Sequence, residues 1–229
     1  MNQRKVVVTG LGALTPIGNT TDIFWNNLIA GASGGAPITK FDASKFKTRF
    51  ACEVKGYDPS QHFDKAEVRK LDLFSQYALV AAKEAIDDAG FNMDALDKTR
   101  AGVIWGSANG GFLTFQQEIM EYAKGDGTPR MNPFFIPKIL VDIASGWIAM
   151  KYGFMGVNFT TVSACATSTT AIIDAMNYIR WGKADVIITG GSEAAICEGG
   201  IGGFSALKAL STRNDDAATA SRPFDVNRD

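Results

Sequence analysis

Cys165 stands where a thiol can do chemistry. Around it, Asn158-Phe-Thr-Thr-Val-Ser-Ala-Cys-Ala-Thr-Ser168 reads as a β-branched strand, a tight turn of small residues, and a helix opening at Cys165 or just after it. The thiolate is the nucleophilic form of cysteine, and a free cysteine is mostly protonated at neutral pH. The first turn of a helix presents unpaired N–H groups and a partial positive charge, and both favour an anion. Ser163, Ala164 and Ala166 are small enough to let a substrate carbonyl approach. Position alone leaves the other reading open, because most cysteines are small buried hydrophobes.

The elements that must position this residue follow from periodicity. The helix is expected over Ala166–Trp181, with Ile172, Met176 and Ile179 recurring on one face and Ile173 beside them. Gly182 sits where a left-handed cap belongs, and the strand Ala184–Gly191 follows. Upstream, Lys5–Gly12 reads as a buried parallel strand running into the glycine turn Thr9–Gly18. Thr21 or Asp22 is expected to cap a helix through about Ala30 that Gly31 ends. Phe46–Lys55 alternates loosely, as a half-exposed strand holding Cys52 would. Phe74–Ala89 is a helix with Gly90 as terminator, and Ala101–Trp105 a buried strand leading into the turn Gly106–Gly111. Gly111–Tyr122 reads as helical, Lys124–Asn132 as a loop, and Phe134–Tyr152 as a helix interrupted at Pro137. The four glycines between 199 and 203 predict a loop pressed against a cavity or another backbone.

Composition narrows the function class. With 46% hydrophobic and 21% charged residues, the 229-residue chain suits an ordinary soluble α/β protein with a sizeable core. A net charge of −1 gives no signal for nucleic-acid binding. The three cysteines are an odd count with no CxxC pair, which points to a reducing, cytoplasmic setting rather than a disulfide framework. The basic tip at Met1 precedes an apolar run too short for a signal peptide, and no run approaches the roughly 18 residues of a membrane span. His62, the only histidine, sits in a polar loop and reads as a surface side chain, and one histidine builds no conventional metal site. A dinucleotide reading of the first glycine turn fails on spacing: Thr15 stands where the third glycine is needed, with Pro16 after it. No internal repeat appears.

Several stretches together resemble the β-ketoacyl-acyl carrier protein synthases, most closely the type II (KAS II) condensing enzymes. They are Val7–Gly18, Arg69-Lys-Leu-Asp72, Pro133-Phe-Phe-Ile-Pro137, Ser163-Ala-Cys-Ala-Thr-Ser168, Asp185–Ala194, Gly202-Gly-Phe204, Ala209–Asn214 and Ser221-Arg-Pro-Phe-Asp225. The resemblance implies an α/β thiolase-like αβαβα sandwich, of which residues 1–229 supply about the N-terminal half. It also implies a dimer and a decarboxylating Claisen condensation in fatty acid elongation, with Cys165 as acyl acceptor and its N–H as half of the oxyanion hole. By the same resemblance, Asn109 and Phe135 lie at the acyl pocket and Phe204 is a gating residue beside the cysteine. Arg69, Lys70 and Lys208 belong to the basic patch that meets the acidic acyl carrier protein. No metal or cofactor is implied. At Asn109 the family often carries an apolar residue. The family's two histidines and a lysine come from its second half; none matches here, and the chain stops inside a family segment, so it reads as a half that needs the rest for full activity. A non-catalytic partner subunit of the chain-length-factor kind is the alternative, and Cys165 argues against it.

Overall fold

Thr20 is extended, and its hydroxyl accepts the N–H of Ile23 at 3.4 Å, which starts α1 (Thr21–Ile29) one residue earlier than the sequence suggested. Gly31 follows with φ +70°. The computed structural model describes residues 4–229, so the start of the basic tip, Met1 to Gln3, lies outside the described residues. Two compact units appear: residues up to Gly12 with Pro59–Ala194, and Ala13–Asp58 with Ala195–Asp229.

In the smaller unit, β1 (Ala36–Pro37) pairs antiparallel with β2 (Phe50–Ala51). The strand expected over Phe46–Lys55 shrinks to these two residues because side chains take over its backbone partners. Asn214 Oδ1 accepts the N–H of Arg49 at 2.7 Å, and Asn214 Nδ2 donates to the Lys47 carbonyl at 2.8 Å. Buried Glu53 accepts from the N–H groups of Thr39 and Lys40 and from the Thr39 hydroxyl.

In the larger unit, Asp64 and Glu67 form a reciprocal capping box at the start of α2 (Lys65–Lys70). Asp72 then caps α3 (Leu73–Ala89), which ends at left-handed Gly90 as expected. The sheet has the order β4-β3-β5, all parallel: β3 (Ala101–Gly106) lies between β4 (Asn158–Phe159) and β5 (Val186–Gly191). Every residue of β3 is buried, with Ile104 on the face covered by α7 (Thr167–Arg180) and Val103 on the other. Between β3 and β4 run α4 (Phe112–Lys124), α5 (Phe135–Ile139) and α6 (Ile143–Tyr152). Helix α6 packs on both α3 and β3. The break expected at Pro137 falls instead at Leu140–Asp142. Pro137 is the third residue of α5, where its missing N–H would have had no helical partner.

The first segment departs from expectation as well. Lys5–Gly12 is not a buried strand: Val7 and Val8 are 64% and 78% exposed, and the segment belongs to neither sheet. The segment lies along α3 instead. Gly10 and Gly12 come so close to the carbonyls of Ala85 and Ala81 that a side chain would overlap them, and the Leu11 N–H donates to Asp88 at 2.8 Å. In α7, the buried residues are Thr167, Ala171 and Ala175, while Ile172 and Ile173 are about half exposed. Alanine lets the helix approach Ile104 closely, so the small stripe faces the sheet and the large one faces out.

The glycine cluster after β5 also differs from expectation. Residues Glu198–Ala206 form α8 rather than a loop. Each glycine costs such a helix about 1 kcal/mol relative to alanine. The buried anchors Cys197 and Ile201 offset this, and Gly200 lies so close to the Ala195 carbonyl that any Cβ would collide.

Asp185, just before β5, is held by two guanidinium groups, Arg100 (2.8 Å) and Arg4. Their hydrogen bonds, Arg100 first, hold its carboxyl well below the usual carboxylate range. A depressed folded-state pKa contributes stability that is present above the unfolded value of about 3.9 and lost as pH falls below it. Asp185→Asn should therefore lower the melting temperature at neutral pH, with the difference from wild type shrinking steadily below about pH 4. Melting curves of both proteins across pH check this; a difference that persists unchanged into strong acid would contradict it.

Candidate active site

After β4 the chain passes through Thr160–Ser163 into a 3-10 turn, Ala164–Ala166, and α7 begins at Thr167. Cys165 thus precedes the first helical residue by two positions, and its thiol is free and exposed. The turn is tight enough to put Ala164 at φ +51°, a left-handed conformation that costs a residue with a Cβ roughly 1–2 kcal/mol. Thr167 holds it there. Its buried hydroxyl accepts the Ser163 N–H at 2.9 Å and donates to the Ala164 carbonyl at 2.7 Å, bracketing the cysteine turn. Thr161 adds a bond to the Thr167 carbonyl at 3.1 Å, and the Ser163 and Thr170 hydroxyls meet at 2.7 Å.

The C-terminal ends of the parallel strands come up against the same turn. Gly106 of β3 touches Thr167, and Gly191 of β5 touches Ser168, each closely enough that a Cβ would overlap. Ligand sites in parallel sheets form at this end of the strands. From β3 the loop Ser107–Gly111 runs on to α4, with Gly110 at φ +58° and the Gly111 N–H donating to Ile139 of α5 at 3.2 Å. Glu193, two residues past β5, grips this loop. One oxygen, Oε2, accepts from Ala108 N (3.1 Å), Asn109 N (3.0 Å) and Asn109 Nδ2 (3.1 Å). Partial withdrawal from water raises the Glu193 pKa above its ordinary value, and these three N–H groups oppose the rise.

The residues singled out in the sequence fall into both units. Cys165, Asn109, Phe135, Arg69 and Lys70 belong to the larger unit, Phe204 and Lys208 to the smaller. Within the larger unit, Asn109 lies on the loop that leaves β3 after Gly106, the residue that touches Thr167. Phe135 opens α5, against which that loop packs, and its ring stacks on Phe115 with centroids 6.2 Å apart. Arg69 is exposed, whereas Lys70 lies 5.9 Å from the centre of the Phe134 ring. Phe204 is an exposed residue of α8, and Lys208 follows that helix with φ +54°. His62 is exposed after a 3-10 turn, its ring 6.2 Å from that of Phe63. Thr167 and Glu193 were not singled out. An acid just beyond the glycines that end a buried parallel strand was the available signal for Glu193. Thr167 gave none, since small polar residues open many helices.

Residues 3–229 match the model of the beta-ketoacyl synthase N-terminal domain. The chain belongs to the beta-ketoacyl synthases. Over 229 residues it is 42% identical to a 3-oxoacyl-[acyl-carrier-protein] synthase 2 of Coxiella burnetii, covering all of this chain and 55% of that protein. It superposes on the crystal structure of a beta-ketoacyl synthase from Burkholderia phymatum with a TM-score of 0.86 at 27% identity, over 97% of this chain and 55% of that one. For the ishigamide ketosynthase/chain length factor the TM-score is 0.83 at 30% identity, over 91% and 52% of the two chains. The ketosynthase fold is thus the thiolase-like α/β one expected, and the chain spans about half the length of the relatives it matches. Among the described residues, no helix is long and apolar enough to cross a membrane.

The Thr167 clasp carries a direct test. Thr167→Val keeps the shape but removes the partner of the Ser163 N–H and leaves the Ala164 carbonyl with only the residue 167 backbone N–H, which should cost about 1–3 kcal/mol. Thr167→Ser keeps the hydroxyl and should cost less. Denaturant midpoints of the two variants give the comparison, and equal losses would show that the methyl group, not the hydroxyl, matters.

Proposed function

We propose that Cys165 is the acyl-accepting nucleophile of a 3-oxoacyl-[acyl-carrier-protein] synthase acting in fatty acid elongation. One observation carries this reading. An exposed thiol sits at a strained strand-to-helix turn, with two parallel strands brought up beside it by glycines where no other residue fits. Such a thiol is accessible to a thioester and lies within the influence of the amino-terminal end of a 14-residue helix.

In the first half-reaction, Cys165 Sγ bonds to the carbonyl carbon of an acyl thioester on acyl carrier protein. The carrier's thiolate leaves and takes up the thiol proton. The Cys165 N–H is half of the oxyanion hole that stabilises the tetrahedral intermediate. In the second, a malonyl thioester loses CO2. The carbanion left behind attacks the acyl carbon, and the Cys165 thiolate is expelled with the β-ketoacyl product still on the carrier. Asn109 and Phe135 line the acyl site. Arg69, Lys70 and Lys208 meet the acidic carrier protein.

Residues 1–229 then form the N-terminal ketosynthase half. The two histidines and the lysine that stabilise the enolate then belong to the remaining half of the relatives' length. Two features support a partner surface for that half or for a second subunit of a homodimer: exposed Ile172 and Ile173 on α7, and Val7 and Val8 lying outside any sheet. Three cysteines, none of them in a disulfide, fit a cytoplasmic protein.

Acylation decides the matter. The natural gene product, mixed with an acyl-loaded carrier protein, should gain one acyl group at Cys165 by intact mass and peptide mapping. Cys165→Ser should abolish that gain. Acylation retained in the serine variant would place the nucleophile elsewhere, and a wild type that never acylates would favour the non-catalytic partner subunit.

A further inference from the structure

Glu193 makes an arrangement that the reaction scheme above does not use. A single carboxylate oxygen collects three N–H groups, two from consecutive backbone positions and one from the side chain of the second, Asn109. The arrangement is anchored on both sides. On the β5 side, the Ser192 N–H donates to the Gly106 carbonyl at 3.0 Å and its hydroxyl accepts Trp105 Nε1 at 3.0 Å, so the residue before Glu193 is fixed to the end of β3. On the loop side, the Gly110 N–H donates to the Ser107 hydroxyl at 3.1 Å, and Gly110 and Gly111 lie against the end of α5. An asparagine side chain has two soft torsions and in an exposed loop would sample several orientations. Here its Nδ2 is tied to a carboxylate whose own backbone is tied to the sheet. A hydrogen bond to an ionised acceptor is about twice as strong as a neutral one.

We infer that Glu193 is a positioning residue that locks the Asn109 amide at the C-terminal edge of the sheet, and that the locked amide disfavours long saturated acyl chains. This rests on the acyl site proposed above. An amide that could swing away would let an apolar chain pass. An amide held by Glu193 cannot, and an alkyl chain laid against it strips water from its free carbonyl without replacing the lost hydrogen bond. Glu193 touches neither the thiol nor the chain in this scheme and acts only through Asn109.

The test is the ratio of kcat/KM for tetradecanoyl over hexanoyl carrier-protein thioesters, measured on the natural gene product. Asn109→Ala should raise the ratio about tenfold, the scale of a lost polar contact. Glu193→Ala should raise it by a similar factor, and the double variant no further than either single change, because both break one clamp. Glu193→Gln keeps the shape and one neutral acceptor, so it should raise the ratio only about threefold; it serves as the test on its own if the alanine variant does not fold. A merely structural role would lower kcat/KM for both thioesters alike and leave the ratio unchanged. That result in Glu193→Gln, or additive effects in the double variant, would overturn the inference while leaving the acyl site intact. A wild type acylated by neither thioester would overturn the parent reading and this one together.

Discussion

The structure depends on holding one short turn in a conformation its own residues disfavour. Ala164 is left-handed, and the strain is of the same order as one good hydrogen bond. Thr167 supplies two bonds from one buried hydroxyl, to the residue before Ala164 and to Ala164 itself. The clasp fixes where Cys165 can be. The chain cannot relax toward an ordinary helix start without breaking both bonds. Nor can the following helix begin earlier, since Ser163 and Ala164 are committed to Thr167 through their backbone groups. Strain and its compensation are therefore local, within five residues, and the rest of the larger unit has only to present a surface against which this turn can rest.

That surface imposes its own constraint, which is distance. For the ends of β3 and β5 to reach the turn, the residues in contact must lack side chains, and Gly106 and Gly191 do. The same demand runs down the helix that follows. Ala171 and Ala175 face Ile104, so α7 can lie close over β3 while Val157, Phe159, Tyr178 and Ile187 fill the margins. A helix with its isoleucines turned inward would stand farther from the sheet and carry the first turn of α7 away from the strand ends. Small residues on the inner face and large ones outside are a condition of the site's geometry.

This explains why some of the fold was legible in the sequence and some was not. Elements defined by chain-local chemistry read through directly. Gly90 and Gly182 adopt the left-handed caps their positions implied, and the β-branched run of β3 is buried throughout. Apolar periodicity placed α7 but did not tell which face packs on the sheet, because periodicity registers which residues are large, not which surface is short of room. Lys5–Gly12 reads as a strand from its valines, yet it lies along α3, where Gly10 and Gly12 approach the Ala85 and Ala81 carbonyls and Asp88 takes the Leu11 N–H. The glycines of α8 carry loop propensity of a few kcal/mol that tertiary burial of Cys197 and Ile201 overrides. At the site, the thiol was visible because its residue type is rare and its neighbours small. The residues that hold it and its surroundings in place, Thr167 and Glu193, are common types whose roles exist only once the chain is folded.

Two carboxyl groups organise the loops of the larger unit. Asp72 is buried and accepts from the Phe74 N–H at the start of α3 and from the Thr114 N–H in the first turn of α4, so one side chain caps two helices. Glu193 does the equivalent for the loop before α4. Neither acid has lysine or arginine as a partner: Glu193 takes N–H groups, and Asp72 takes N–H groups and the Thr114 hydroxyl. Amide donors give a carboxylate hydrogen bonds without a compensating full charge, so each acid leaves a net negative charge near the elements it joins. A helix start or a glycine-rich loop is the place where such a charge is tolerated, because unpaired N–H groups already point outward there. The outcome is a loop before α4 fixed at both ends: Asp72 caps the helix it enters, and Glu193 holds the residues that precede it. Asn109, the exposed residue of that loop, is itself held by Glu193 through both its backbone N–H and its side-chain amide.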